Sequence, residues 1–145
     1  MRPLFVLLLF ALPAVAAPVP KALKAKPTMD GVWEWVEFNG SDGTMKFTIP
    51  KPTFRRIDGD RISLGKPSVE EVLREELRQT LHVRDEQQPH LRTYDTGGVK
   101  YSSVVELDGD TLRWCFSLDP KATITECKPA NGVYYYVFKR VTDAK

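Results

Sequence analysis

Histidine is almost absent from this chain of 145 residues, and that scarcity excludes several kinds of active site. Only His82 and His90 are present, so a three-histidine metal site cannot form, and neither has a cysteine nearby or a second histidine four residues on. The sequence also lacks a Gly-x-Ser-x-Gly elbow, a glycine-rich phosphate loop and a His-Glu-x-x-His helix. A site made by both histidines with Asp85 or Glu86 stays an alternative. Otherwise we predict no catalytic residue, no metal, no cofactor and no enzymatic activity.

A strong charge of either sign is missing as well. The chain has 21 lysines and arginines against 19 aspartates and glutamates, a formal net charge of +2. A balance this close gives no electrostatic steering toward polyanions. We therefore expect no nucleic acid and no anionic membrane surface among the partners.

No apolar run is long enough to span a bilayer, which takes about 20 residues as a helix. The run over residues 4–12 follows Arg2 and precedes the small residues 14–17, which is the three-part layout of a secretory signal peptide. We predict a signal peptide over residues 1–16 and a secreted or periplasmic protein, with no membrane insertion after cleavage. An uncleaved amphipathic or buried helix is the alternative.

Cysteine is equally scarce. Cys115 and Cys127 are the only two, and an even number in an oxidising compartment predicts a disulfide. We place the bridge across a hairpin that turns near Lys121 and returns as a strand over residues 123–128, because this register sets the two cysteines opposite each other. Cys115 is disfavoured as a nucleophile because no histidine flanks it.

We interpret the rest of the chain as one linker followed by one domain. Residues 17–28 hold three prolines and three lysines without apolar periodicity, which predicts a disordered linker. Residues 29–141 consist of short alternating or β-branched segments separated by turn signals. Eight to ten strands at this spacing predict a closed barrel or a sandwich.

Two segments of the domain echo each other. Residues 54–64 and 105–114 each contain an alternating strand, an Asp-Gly-Asp turn and a second alternating strand. Asp-Gly favours tight hairpins because both residues tolerate positive φ. The aspartates lack the ligand series of a Ca²⁺ loop, so we assign them to the turns: Asp58, Asp60, Asp108 and Asp110.

Alternation in the second echo also predicts which side chains of residues 111–118 face inward. The inward set is Leu112, Trp114, Phe116 and Leu118, and the outward set is Arg113, Cys115 and Ser117.

The middle of the domain has a different pattern. Ser68 and Glu71 have the spacing of a capping box, and the apolar residues that follow share one helical face. We predict a short helix over residues 69–76 and a strand over residues 77–84. A purely β interpretation of the whole stretch is the alternative.

Several motifs together resemble a known family. Gly31-Val32-Trp33 is similar to the Gly-x-Trp that opens the first strand of lipocalins. The Asn39-Gly40 turn, the segment Leu107–Phe116 and the final Lys139-Arg140 resemble a lipocalin-like domain of unknown function that is abundant in planctomycete bacteria. The charged insertion at residues 69–76 departs from that family's pattern.

The resemblance implies an all-β, up-and-down antiparallel barrel of about eight strands, to which the segment at residues 69–76 adds one short helix, and it brings no established activity. It further implies that Gly31, Trp33 and Arg140 are structural residues at one barrel end. Arg140 should stack on the Trp33 indole with its guanidinium within about 6 Å of the ring centroid.

A barrel of this size either fills its interior or holds one small ligand. We therefore expect a monomeric, secreted, non-enzymatic binding protein for a small apolar ligand. The alternative is an extracellular protein–protein interaction module with a filled barrel; an interior pocket of roughly 300 Å³ or more would favour the ligand. The candidate ligand-binding residues are Trp33, Trp35, Trp114, Phe116, Tyr136 and Phe138.

Overall fold

The structure is a computed structural model that describes residues 28–40, 42, 46–47, 49 and 51–142. The predicted signal peptide and all of the predicted linker except Thr28 lie outside these residues. The described residues form nine strands and one helix: β1 (Gly31–Asn39), β2 (Lys46–Phe47), β3 (Phe54–Asp58), β4 (Arg61–Ile62), α1 (Val69–Arg74), β5 (Gln79–Val83), β6 (Leu91–Thr96), β7 (Val99–Asp108), β8 (Thr111–Ser117) and β9 (Val133–Arg140).

The strands close into an antiparallel barrel. From β3 to β9 each strand pairs with the next along the chain, and β9 pairs with β1. On its other edge, β1 pairs with β3 over Gly31–Glu34 and with the short β2 at Phe38 and Asn39, so β2 and β3 share one position. The result is an eight-stranded closed barrel with one short helix, which confirms the predicted fold class.

The barrel has two different ends, which we call lower and upper. At the lower end β1 begins and β9 finishes, and the turns after β3 and β7 lie there. At the upper end β1 finishes and β9 begins, next to the turn between β6 and β7. Every residue that faces the interior can therefore be assigned a level between these two ends.

The two Asp-Gly-Asp turns form hairpins, but with a different geometry from the one expected. Asp58 and Asp108 still belong to the strand ladders, so the two loop residues are Gly and the second Asp. Only the glycines, at φ 62° and 56°, have positive φ. A glycine at the first loop position is typical of a type II′ turn, which fits the twist of the flanking strands.

Helix α1 is shorter than predicted, and it decides between the helix and the all-β interpretation of its segment. Ser68 is the N-cap and accepts a hydrogen bond from the Glu71 amide at 3.2 Å. The helix ends at Arg74 because Glu75 is extended. The Arg56 guanidinium binds the last carbonyls, those of Leu73 and Glu75, at 2.8 and 2.9 Å, and so fixes the helix against β3.

The disulfide is present, but the predicted hairpin around it is wrong. Cys115 and Cys127 are bridged with their Cα atoms 5.3 Å apart. Residues 123–128 form no strand, because β8 already pairs with β9, which places Cys115 opposite Tyr135. Residues 118–132 are instead a long loop, and the bridge attaches this loop to the outer wall of the barrel.

The loop has a further attachment to the wall at Ile124. The backbone amide of Ile124 donates to Ser102 Oγ at 2.9 Å, and its carbonyl accepts from Arg84 Nη2 at 3.0 Å. These bonds replace the ladder that a strand would have made.

The inward assignment of Leu118 is also wrong, because β8 ends at Ser117 and Leu118 is exposed. Ser117 Oγ bonds both backbone groups of Asp119 and turns the chain away from the barrel. The rest of the predicted inward set of this strand is buried in the barrel core: Leu112, Trp114 and Phe116.

Among the residues that the structure describes, no helix has the length and apolar character needed to cross a membrane.

Candidate functional site

The lower half of the barrel interior is packed. Its side chains come from seven strands and enclose a common interior space: Trp33, Arg55, Ile57, Ile62, Leu81, Val105, Leu112, Trp114 and Phe138. The space that these nine enclose holds no cavity large enough for a water molecule. A ligand therefore has no room in the space between these side chains without displacing them.

Arg140 closes the lower end. Its guanidinium carbon lies 4.2 Å from the Trp33 ring centroid, within the distance predicted, and the two residues are cross-strand partners. Nη1 and Nη2 donate to the carbonyls of Asp30 and Thr28, each at 2.6 Å. Gly31 has φ +131°, and a Cβ there would come 3.1 Å from Arg140 Nη1, which explains why this position suits glycine.

The upper half differs because several of its aromatic side chains are only half-buried. We call this group the aromatic mouth: Trp35, Phe38, Tyr94, Tyr101, Phe116, Tyr134 and Tyr136. Trp35, Phe38, Tyr101 and Tyr134 are partly accessible, whereas the other three are buried. Ring centroids within the group lie as close as 4.8 Å, between Tyr94 and Phe116.

An irregularity in β1 brings two of these rings together. The register with β9 shifts between Trp35 and Glu37, so one extra residue lies on β1 opposite the ladder, as in a β-bulge. Trp35 and Phe38 consequently both face inward, and each lies near Tyr136 with centroid separations of 5.1 and 5.0 Å. Without the bulge, alternation would turn Phe38 outward.

A charged side chain lies at the floor of the aromatic mouth. Arg55 is the cross-strand partner of Trp33 on β3, and its guanidinium carbon lies 5.4 Å from the Trp114 ring centroid. Nη1 donates to Gln79 Oε1 at 3.0 Å and to the Ser63 carbonyl at 3.2 Å. Nε is buried and makes no hydrogen bond to any described residue.

Burial perturbs the titration of this group. It lowers the pKa of Arg55, while the nearby phenols of Tyr94 and Tyr136 act in the opposite direction. The two phenols respond inversely, because burial raises the pKa of each and Arg55 opposes the rise. Because arginine stays protonated in proteins and the pKa of each phenol is raised, the site contains a guanidinium cation and two protonated hydroxyls at neutral pH.

The raised pKa of Tyr136 has a measurable consequence. Burial raises it to about 12 from 10, so the folded protein retains a proton that the unfolded chain loses near pH 10. The stability that this retention contributes is complete below pH 10 and disappears as the pH rises toward 12. In an ultraviolet titration of tyrosinate, we expect Tyr136→Phe to remove the transition near pH 12.

Tyr135→Phe is the matched control, since Tyr135 pairs with Cys115 on the opposite face of β9. It should leave that transition in place. If Tyr136→Phe left the high-pH transition unchanged, the burial of this phenol would be refuted.

The structure brings the six predicted ligand-binding residues to the barrel interior but divides them by level. Trp33, Phe138 and Trp114 line the packed lower half, and Trp114 also stacks on Tyr136 of the aromatic mouth with ring centroids 5.5 Å apart. Trp35, Phe116 and Tyr136 belong to the aromatic mouth. A role in ligand binding stays a prediction for all six.

The sequence interpretation missed Arg55. The signal was present, since Arg55 lies two residues before the core residue Ile57 on a strand and must share its face. Arg92, two residues before the core residue Tyr94, is a second case: its Nη1 donates to the Leu81 carbonyl at 3.2 Å.

The alternative chemistry considered from the sequence has weak geometric support. His82 Nδ1 lies 2.6 Å from Asp60 Oδ2, with both side chains about half exposed. Within the described ranges, no group of three or more His, Cys, Asp or Glu residues could hold a metal ion. A groove of about 320 Å³ beside α1 is lined by Arg56 and Arg140, but both of these arginines are already bound to backbone carbonyls.

Comparison with known proteins adds no assignment: no family model matches the sequence, and neither a curated protein nor a solved structure is significantly similar to it.

Proposed function

We propose that this protein is an exported, monomeric, non-enzymatic binding protein that holds a small, largely apolar molecule at its aromatic mouth. The observation that carries the proposal is the contrast between the two halves of the barrel. The lower half is filled, whereas the upper half presents half-buried rings around a buried polar group. Ligand sites are typically concave and apolar, with a few polar groups that fix orientation.

Export is supported by the signal-peptide pattern and by the disulfide. Disulfides persist in extracellular and periplasmic compartments and are rare in the cytosol. The bridge fixes a 15-residue loop that lacks strand pairing. It can do so only in an oxidising compartment, where the disulfide persists. Kinship with the planctomycete lipocalin-like domain stays a prediction that rests on the motifs alone.

A second candidate function is a protein–protein interaction module. The packed interior favours it, because the space enclosed by the core residues holds no cavity of the roughly 300 Å³ that would favour a ligand. A barrel without a lumen can act only through its surface. The loop over residues 118–132 would supply a rigid surface, since the disulfide and the Ser102 contacts fix it to the wall. The two proposals predict different co-purifying molecules: a small molecule for the binding protein and a protein partner for the interaction module.

Native mass spectrometry of the protein recovered from its own periplasm or medium distinguishes them. We expect a monomer with an added mass of small-molecule size that dissociates on denaturation. Tyr101→Ala, at the aromatic mouth, should lose this adduct, and Tyr135→Ala, on the outer face, should keep it. A bare monomer in every preparation would contradict ligand binding, and a stoichiometric protein partner would favour the module.

The denatured mass of the same sample tests export. We expect a chain that begins at Ala17, because cleavage after Ala16 fits the small-residue site. Retention of Met1 would refute both the signal peptide and the proposed location.

A further inference from the structure

Arg55 is a partly buried cation in the barrel interior without an anionic partner among the described residues. Its hydrogen bonds go to two neutral acceptors, the Ser63 carbonyl and the Gln79 amide oxygen, and the Tyr94 phenol lies nearby. Among the described residues no carboxylate forms an ion pair with it, although carboxylates pair with arginines elsewhere, as Asp110 does with Arg140. Its Nε still lacks any acceptor.

Such an arrangement is unfavourable for the folded protein alone. Removing a guanidinium from water costs several kcal/mol, which an ion pair with good geometry can offset. Two neutral acceptors and a tryptophan face offset only part of this cost. A methionine of similar length would fill the same space without the charge. The charge of Arg55 therefore lowers the stability of the folded protein, which is typical of a residue that serves binding.

The surroundings of Arg55 specify what the charge would meet. The guanidinium lies on the Trp114 ring, below the half-buried rings of the aromatic mouth. The Gln79 side chain that holds it is itself held, through a hydrogen bond from Nε2 to Thr96 Oγ1 at 3.0 Å. The phenols of Tyr94 and Tyr136 are close enough to interact electrostatically with Arg55. A planar guanidinium suits a planar group with two acceptor oxygens.

We infer that the ligand of the aromatic mouth is a small amphipathic carboxylate, with its head group on Arg55 and its apolar body among the rings. This inference rests on the proposed function and names the chemical class of the ligand. The head group would supply the missing anion, and the packed lower half would stop it from entering further. A neutral molecule of the same shape should bind less well.

A matched pair of probes tests the inference: 2-naphthoate and 2-naphthalenemethanol, which share a ring system and differ in charge. By titration calorimetry on the mature protein, we expect the carboxylate to bind about ten- to a hundred-fold more tightly than the alcohol, since hydrogen bonds to charged groups are the stronger ones. Arg55→Met should reduce carboxylate binding to the level of the alcohol and leave alcohol binding unchanged. Arg74→Met, which removes an exposed arginine, should change neither.

A thermal melt controls for folding. Arg55→Met should melt no lower than the parent, and 2-naphthoate should raise the melting temperature of the parent but not that of the variant. Arg55→Lys provides a second test, because it keeps the charge but loses the planar fork, so the preference for the carboxylate should fall without vanishing.

Two negative outcomes are distinct. Equal binding of the two probes, unaffected by Arg55→Met, would overturn the inference and leave a binding protein for neutral ligands. Failure of the parent to bind either probe at millimolar concentration would overturn the inference together with the proposed function.

Discussion

Arg140→Ala is expected to lower the free energy of unfolding by about 2–3 kcal/mol, from lost hydrogen bonds and a lost cation–π contact. The guanidinium lies 4.2 Å from the Trp33 ring centroid and binds two carbonyls that precede β1. Its removal exposes a fully buried indole and leaves both carbonyls without their donor. Its contact with Asp110 adds little, because that carboxylate is largely exposed.

Lys139→Ala is the matched control, since Lys139 neighbours Arg140 but is exposed on the opposite face. We expect it to change stability by less than about 0.5 kcal/mol, as surface substitutions usually do. Denaturant unfolding of both variants gives the comparison. Equal midpoints would show that Arg140 does not close the lower end.

Removal of the disulfide is the second large effect that we expect. The bridge joins residues separated by 12 positions, and the chain-entropy model gives about 3 kcal/mol for a loop of this size. Cys115→Ala/Cys127→Ala should therefore unfold at clearly lower denaturant concentration. The barrel should persist, because the ladder between β8 and β9 does not depend on the bridge.

Limited proteolysis locates the effect. In the double variant, the first cleavage should fall within residues 118–132, which would then be held mainly by the Ser102 and Arg84 contacts to Ile124 and by Ser117 at the start of the loop. A reducing agent should reproduce the loss in the parent and have no effect on the double variant. Loss of the whole barrel, or an unchanged midpoint, would contradict this account of the bridge.

The barrel could be predicted from the sequence because its signals are local. Alternation along β7 and β8 and glycine at the tight turns are properties of a few adjacent residues. The Trp33–Arg140 contact could be predicted because closure of the barrel pairs the first strand with the last. The strand at residues 123–128 was wrong because pairing is not local: β9 had already taken the open edge of β8.

The candidate site could be predicted only in part. Aromatic residues at alternate positions indicated the interior, but not that the lower half would be filled while the upper half stayed half-buried. That division depends on how rings from five strands fit together and on a bulge in β1 that brings Phe38 inward. Alternation along the strand places Arg55 on the same face as Ile57. An arginine is unexpected on that face, however, because interior positions usually hold apolar residues. Local conflicts of this kind are most common at functional sites.

The three tryptophans can show directly whether a carboxylate ligand binds at the aromatic mouth, because they report on three levels of the barrel. The indole Nε1 of Trp33 donates to the Met29 carbonyl at the lower end, that of Trp114 to Ser103 Oγ in the middle, and that of Trp35 to the Glu37 carbonyl at the mouth. In an NMR titration with 2-naphthoate, we expect the chemical shifts of the Trp35 and Trp114 indole N–H signals and of the Arg55 Nε–H signal to change. The Trp33 indole signal should not move. Saturable shifts centred on Trp33, or a titration in which none of these signals moves, would contradict binding at the aromatic mouth.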